Sequence, residues 1–217
     1  MAAGAGRRMG GKPKALLLRD GVPLIERHLR VLAQAGIRHA VVVLGHHAAR
    51  IEPILRALQT QLAEALELRW ALNPQPDDGP GSSLRTGLAA LPSELSAVLV
   101  ALADQPLIDG ADMEAVLAAW MSRAPNAHLV VPCFEGQPGH PLVFAAGVRA
   151  GIMEMKGAAG LRDWRKVHPD QVEAWQVDHP RYTLDVDSEA DRAALKERYG
   201  IALMWPEDLA GSAAPGA

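Results

Sequence analysis

The segment Gly4-Ala5-Gly6-Arg7-Arg8-Met9-Gly10-Gly11-Lys12-Pro13-Lys14 packs four cations and four glycines into eleven positions. Consecutive backbone N–H groups among small residues can form an anion nest. Gly4 and Gly6 let the backbone approach a phosphate without a Cβ in the way. Arg8 and Lys14 add charge, one as a fork and the other as a point. Two phosphate-loop patterns begin here and neither is completed. Pro13 stands where a P-loop needs Ser or Thr, and Met9 stands where a dinucleotide fingerprint needs its third glycine. Either the segment grips phosphates in another way, or it is a mobile basic terminus.

Two acidic stretches supply the complementary chemistry. Asp104 directly follows the apolar run Ala97–Ala103. Ligands of open α/β sheets bind beyond the carboxyl ends of strands, and a carboxylate there can hold Mg²⁺. The alternative is an Asp that closes a turn before Pro106. In Leu184-Asp185-Val186-Asp187, an extended chain puts both carboxylates on one face. Ser188-x-x-Asp191 then reads as a capping box, so these carboxylates either bind a cation or favour a positive helix end. Ser82 and Ser83 in Gly79–Leu88 open a helix, where they either contact a ligand or cap. Gly139 and His140 lie in a tight turn, with His140 facing a ligand or bonding within the turn.

These groups need a scaffold, and the chain alternates strand and helix patterns. Short apolar runs at Ala40–Gly45, Leu66–Leu72, Ala97–Asp104, His128–Phe134 and Pro141–Ala146 read as strands. Helical periods appear in Ile25/Leu29/Leu32, ending at Gly36, in Ile51 to Leu62, and in Met113 to Trp120. Such alternation predicts a three-layer α/β domain with a mostly parallel sheet. Residues 1–203 are expected to form one domain, and residues 204–217, rich in Gly, Ala and Pro, a frayed tail. Only Met1-Ala2-Ala3 precede Gly4, although a phosphate loop ordinarily follows the first strand of such a sheet. Either the start lies upstream, or the sheet has no strand at its centre.

Bulk composition narrows the classes. The chain has 217 residues, a net charge of −3 and 49% hydrophobic residues. That suits one core and argues against a broad basic face for nucleic acid. With only 4% aromatics, Leu, Val, Ile and Ala must build the core. One cysteine, Cys133, excludes an internal disulfide or a thiolate metal cluster. No signal peptide or membrane-length apolar run occurs, so the expected location is a reducing cytoplasm. Cys133, Trp164 and Trp175 read as packing residues, and His46-His47 lack the further ligands of a zinc site.

Five segments in order, AAGAGRRMGGKPKALL, GSSLRTGL, DQPLI, GHPLVF and DVDSEAD, resemble the MobA-like nucleotidyltransferases, most closely the molybdenum cofactor cytidylyltransferases. They span Ala2 to Asp191. The opening AAG, with SSLRTGL and GHPLVF, leans toward the cytidylyl branch. The resemblance implies the α/β/α nucleotide-diphospho-sugar transferase fold and transfer of CMP from CTP to molybdenum-bound molybdopterin. By the same resemblance, Ala3, Gly4, Gly6, Arg8, Lys14, Ser82 and Ser83 would bind nucleotide. Arg8, Lys14 and Asp104 would carry catalysis, and Asp104 and Asp187 would hold Mg²⁺ or Mn²⁺. Gly139 and His140 would line the acceptor side. A molybdoenzyme or its chaperone would be a transient partner, with no nucleic acid or membrane involved. Alternatives are a transferase using GTP or another nucleotide, on molybdopterin or a sugar phosphate, or a non-catalytic cofactor chaperone. The chain departs from the family in lacking most of the first strand, and in Ser188-Glu189 where Thr-Pro is common.

Overall fold

A computed structural model describes residues 1–210 of the chain. Its strands are β1 (His39–Leu44), β2 (Glu67–Leu72), β3 (Ala97–Val100), β4 (Leu129–Phe134), β5 (Leu142–Ala145) and β6 (Val172–Gln176), besides several two-residue ladders. The helices are α1 (Leu24–Gln34), α2 (Ala48–Gln61), α3 (Pro80–Ala90), α4 (Gly110–Ser122), α5 (Ala146–Glu154), α6 (Leu161–Val167), α7 (Glu189–Tyr199) and α8 (Glu207–Ala210).

Period-two alternation in the strands builds the layers. Val98 and Val100 of β3, Leu129 and Val131 of β4, and Leu142 and Phe144 of β5 pack with α3, α5 and α6. The intervening residues Ala97, Leu99, Val130 and Val143 pack with α4 and α1 on the opposite face. Ile51, Leu55 and Leu58 of α2 and Ile25 and Leu29 of α1 cover β1 and β2. The expected α/β/α sandwich is thus present.

Strand direction differs in part from expectation. β1 and β2 pair in parallel from His39↔Glu67 to Leu44↔Leu72, and β4 pairs in parallel with β6. β5, however, runs antiparallel between β3 and β4. The cause is the short return after β4. Phe134 pairs with Gln137 across Glu135 and Gly136, at φ 49° and 79°, which is the geometry of a tight hairpin. No crossover helix separates β4 from β5, so β5 comes back reversed.

The sheet has a slot at its centre. Among the described residues no strand pairs with the free edges of β1 and β3. A largely apolar cavity of about 430 Å³ lies between them, lined by Val41 and Val43, Val98 and Val100, and Leu84 and Leu88. Among the described residues, Met1 and Ala2 bridge it. Ala2 donates to Val43 O (2.9 Å), Ala103 donates to Met1 O (3.1 Å), and the Met1 ammonium donates to Ala101 O (2.6 Å). Burial pushes that ammonium down to about 6, with Asp104 opposing.

The expected tail from residue 204 is structured over its described part. Leu203–Met204 pairs with Leu18–Arg19, and α8 follows. Leu203 and Leu209 are buried in the core, with Trp205 packed against it. Three apolar anchors outweigh the small-residue composition. Residues 211–217 lie outside the described range.

Candidate active site

The basic loop forms a tight turn of its own. Residues Arg7–Met9 make one 3₁₀ turn between Gly6 and Gly10, both in the left-handed region at φ 63° and 67°. Gly6 O accepts from Met9 N–H (2.8 Å) and Gly11 N–H (3.0 Å). A Cβ on Gly6 would stand 2.0 Å from Lys12 O, so this position requires glycine. Gly4 is different: it is exposed, and nothing lies within 4 Å of where its Cβ would be. Met9 is buried and pins the turn to Leu17, Leu24 and Leu107. Ala3 is buried with its carbonyl against Gly45, where a Cβ would come within 2.4 Å of Ala3 O.

The loop hangs over the three carboxylates. Val186 N–H donates to Asp104 O (3.0 Å), and this backbone bond lays Asp185-Val186-Asp187 beside the end of the β3 segment. Val186 points into the core, so Asp185 and Asp187 project the other way. One carboxylate oxygen from each of Asp104, Asp185 and Asp187 falls within 4.8 Å of the others. Lys14 Nζ donates to Asp104 and to Asp187 (2.7 Å), and Arg8 donates to Asp187 (2.5 Å). Asp187 is further fixed because Ser188 and Asp191 form a reciprocal capping box at the start of α7.

The charges perturb one another as Coulomb's law requires. Burial pulls Lys14 down, but Asp104 and Asp187 more than offset it and hold the ammonium above its ordinary value. Burial pushes Asp187 up, but Lys14 and Arg8 hold it below the usual carboxylate range. Asp185 is raised, first by burial and then by Asp104 and Asp187. An all-oxygen cluster with one carboxyl crowded by its neighbours fits a hard divalent cation, whose charge would relieve that crowding.

Other expected residues take less direct positions. Ser82 and Ser83 lie in the first turn of α3, but both hydroxyls accept from Asn73 Nδ2, at 2.8 and 3.0 Å. Ser82 also donates to the carbonyls of Gln75 and Gly79. They therefore shape the Asn73–Ser83 turn. Gly139 is buried where a Cβ would stand 2.2 Å from Tyr182 O, so its smallness admits a close backbone pass. His140, joined to Pro141 by a cis peptide, lines a second cavity. Burial pushes its ring down to about 4, so it is neutral at pH 7.

Sequence reasoning missed several members. Asp185 was placed on the right face without being assigned as a ligand. His47 Nε2 lies 3.0 Å from Ala5 O and steadies the loop, and Arg7 and His46 both meet Asp77, at 2.8 and 3.2 Å. The dipeptide His46-His47 follows a strand end, which was the available signal. Asn73 had none, because its partners come together only in the fold. Cys133, Trp164 and Trp175 are packing residues as expected.

A sequence profile of the MobA-like NTP transferase domain matches residues 1–173. The chain belongs to that family. Among curated proteins, the bifunctional protein GlmU of Mycobacterium sp. (strain KMS) is 39% identical over 126 residues, 57% of this chain and 25% of GlmU. The chain thus matches about a quarter of the length of that relative. Nicotine blue oxidoreductase of Paenarthrobacter nicotinovorans is 32% identical over 183 residues, 82% of each chain. The crystal structure of Rv0371c from Mycobacterium tuberculosis H37Rv superposes with a TM-score of 0.70 at 25% identity, over 90% of this chain and 95% of that one. A manganese complex of the same protein superposes at a TM-score of 0.65 with 24% identity, over 91% of this chain and 95% of that one. Family and fold together make the domain a nucleotidyltransferase domain. Among the described residues, no helix is long and apolar enough to cross a membrane.

Proposed function

We infer that the chain transfers CMP from CTP to the phosphate of molybdenum-bound molybdopterin and releases pyrophosphate. The observation that carries the transfer chemistry is Lys14, shared between Asp104 and Asp187 beneath a glycine-rich loop. A cation already bridges the two carboxylates, so the site is built to balance charge, as nucleotidyl transfer requires. Asp104, Asp187 and Asp185 would hold Mg²⁺ or Mn²⁺, which when bound would neutralise charge on the reacting phosphates. The manganese complex of the mycobacterial neighbour supports a divalent cation.

The protein groups divide the remaining work. Loop amides from Ala3 to Gly6, with Arg8 and Lys14, hold the triphosphate and stabilise the departing pyrophosphate. Ser82 and Ser83 set the turn bordering the nucleoside. Gly139 and His140 border the acceptor. The acceptor phosphate is an anion already, so no general base is required. The cytidylyl preference rests on the AAG opening with the SSLRTGL and GHPLVF stretches, and a molybdoenzyme or its chaperone would collect the product.

Pyrophosphate release, measured with CTP, GTP and ATP against molybdenum-loaded molybdopterin, tests this reading. CTP is expected to be preferred, and Asp104→Asn to lower the rate roughly 10²–10³-fold with the fold retained. Near-full turnover in that variant removes Asp104 from the metal site. A second reading follows from nicotine blue oxidoreductase, which matches most of both chains. An oxidoreductase would consume a redox cofactor without pyrophosphate, and a cofactor chaperone would release none either.

A further inference from the structure

Between α3, β3, β5 and α6 lies a cavity of about 370 Å³ to which the transfer reaction as drawn assigns no group beyond His140. Its floor is apolar, formed by Leu84 of α3, Val100 of β3, Leu142 of β5 and Leu161 of α6. Its rim is net cationic, with Arg162, Arg165 and Lys166 against the one carboxylate of Asp163, all supplied by α6. Lys166 meets Asp163 at 3.6 Å. Among the described residues, the side chains of Arg162 and Arg165 have no hydrogen-bond or ion-pair partner. Arg165 is half-buried, and an unpartnered guanidinium at an apolar wall lacks its counter-anion.

The cationic helix is held against the site. A Cβ on Gly81 would stand 2.1 Å from Ala159 O, and one on Gly160 would stand 2.9 Å from Gly81 Cα. Arg85 of α3 then donates to Ala159 O and Gly157 O, both at 2.5 Å. Close backbone packing and two guanidinium bonds thus fix the segment leading into α6. His140 also lines the cavity, and its ring is pushed down by burial, then by the Met1 ammonium and Arg165, with Asp104 opposing.

We propose that this cavity binds a phosphomonoester, with its phosphate on Arg165, flanked by Arg162 and Lys166, and its organic body on Leu84, Val100 and Leu142. With Lys166 met by Asp163, the guanidinia of Arg162 and Arg165 are left to meet a dianion, and a guanidinium fork matches phosphate oxygens. Naming this ligand the acceptor rests on the nucleotidyltransferase reading; the binding itself needs no nucleotide. In the transfer, an oxygen of the acceptor phosphate forms the new bond to the α-phosphorus. The bond from that phosphorus to the bridging oxygen breaks, its electron pair leaves with pyrophosphate, and no proton has to be removed. Arg165 is a positioning and specificity residue, so acceptors offering a neutral hydroxyl bind poorly.

The test titrates phenyl phosphate into the full chain without nucleotide or metal. The readout is the indole N–H resonance of Trp164, which lies next to Arg165 on α6 and is assigned by its loss in Trp164→Phe. The expected result is a saturable shift whose dissociation constant rises at least tenfold in Arg165→Ala, is intermediate in Arg165→Lys, and is unchanged in Arg8→Ala. If Arg165→Ala does not fold, the Arg162→Ala/Lys166→Ala double variant carries the same expectation. An unmoved resonance, or a titration lost in Arg8→Ala and kept in Arg165→Ala, overturns the proposal. Pyrophosphate release persisting beside an unmoved resonance leaves the activity standing and removes the pocket. Tight phenyl phosphate binding without pyrophosphate release does the reverse.

Discussion

The two sides of the short Met1–Ala3 segment solve the problem of burial in opposite ways. On one side Lys14, Asp104 and Asp187 satisfy one another in a half-buried network, to which the exposed Arg8 adds a bond to Asp187. On the other, the edges of β1 and β3 face a slot of about 430 Å³ lined largely by aliphatic side chains. The site is specified by complementary charge, which is strong at short range and dictates which atoms meet. The slot is specified only by apolar surface, which is non-directional and leaves backbone edges unpaired. Three hydrogen bonds from Met1, Ala2 and Ala103 connect the strand ladders across this boundary. Among the described residues, side-chain ion pairs tie the phosphate loop to its carboxylates, and backbone bonds tie Met1 and Ala2 to the sheet.

The site side breaks most sharply. Replacing Lys14 with Ala leaves Asp104 and Asp187 without their shared cation, and pyrophosphate release is expected to fall by roughly 10²–10³, about 3–4 kcal/mol. A rate within a few-fold of wild type would mean that the network is structural and the contrast with the slot is not functional.

The slot side answers to pH. His28 of α1 is buried beside the slot, and burial pushes its ring down to about 4 from 6.5. The unfolded chain binds the proton first, so the stability due to neutral His28 is full above about pH 6.5 and is lost as pH falls toward 4. The loss amounts to about 3 kcal/mol, at about 1.4 kcal/mol per unit. His140 titrates in the same sense, so the difference between wild type and His28→Leu isolates this residue. Urea unfolding at pH 7 and 4.5 should show a flatter dependence for the variant; equal slopes would place His28 in contact with water.

At the boundary itself, Gly45→Ala drives a Cβ to 2.4 Å from Ala3 O and 3.0 Å from Ala3 Cα. Neither backbone atom can yield alone, so a cost of about 1–3 kcal/mol is expected in thermal or denaturant unfolding. An unchanged midpoint would show that Ala3 is not held against β1. The smallest effect belongs to the rim of the site. Arg7 and Asp77 pair at 2.8 Å with both side chains largely exposed, so Arg7→Ala should shift stability by less than about 1 kcal/mol. A larger shift would mean that the loop is anchored from outside.

Much of the scaffold was legible before folding. β1 and β4 are short, strongly apolar runs, β2 alternates polar and apolar residues, and the sequence places each within one residue of its observed ends. α1 stops where Gly36 takes φ 78°, and α7 starts at the Ser188 capping box, both local signals. β6 escaped because Val172–Gln176 is only half-buried and carries Glu173 and Gln176. The run Ala97–Asp104 reads as one long strand, yet only Ala97–Val100 pairs. The remainder turns toward Met1 and the site. The tail reading failed over residues 204–210 because Leu203, Trp205 and Leu209 count for more than the glycines and alanines near them.

Sequence alone determined the chemical inventory: a glycine-rich cationic loop, an Asp at a strand end and an Asp pair before a helix cap. It did so because residue type, strand parity and capping are local properties. The meeting of Lys14 with Asp104 and Asp187, the crowding of Asp185, the hold of His47 on Ala5 and the cationic rim over Leu84 were decided by tertiary structure. Each joins residues far apart in the chain, and a distance between charges is fixed by how the layers pack, which no local pattern encodes.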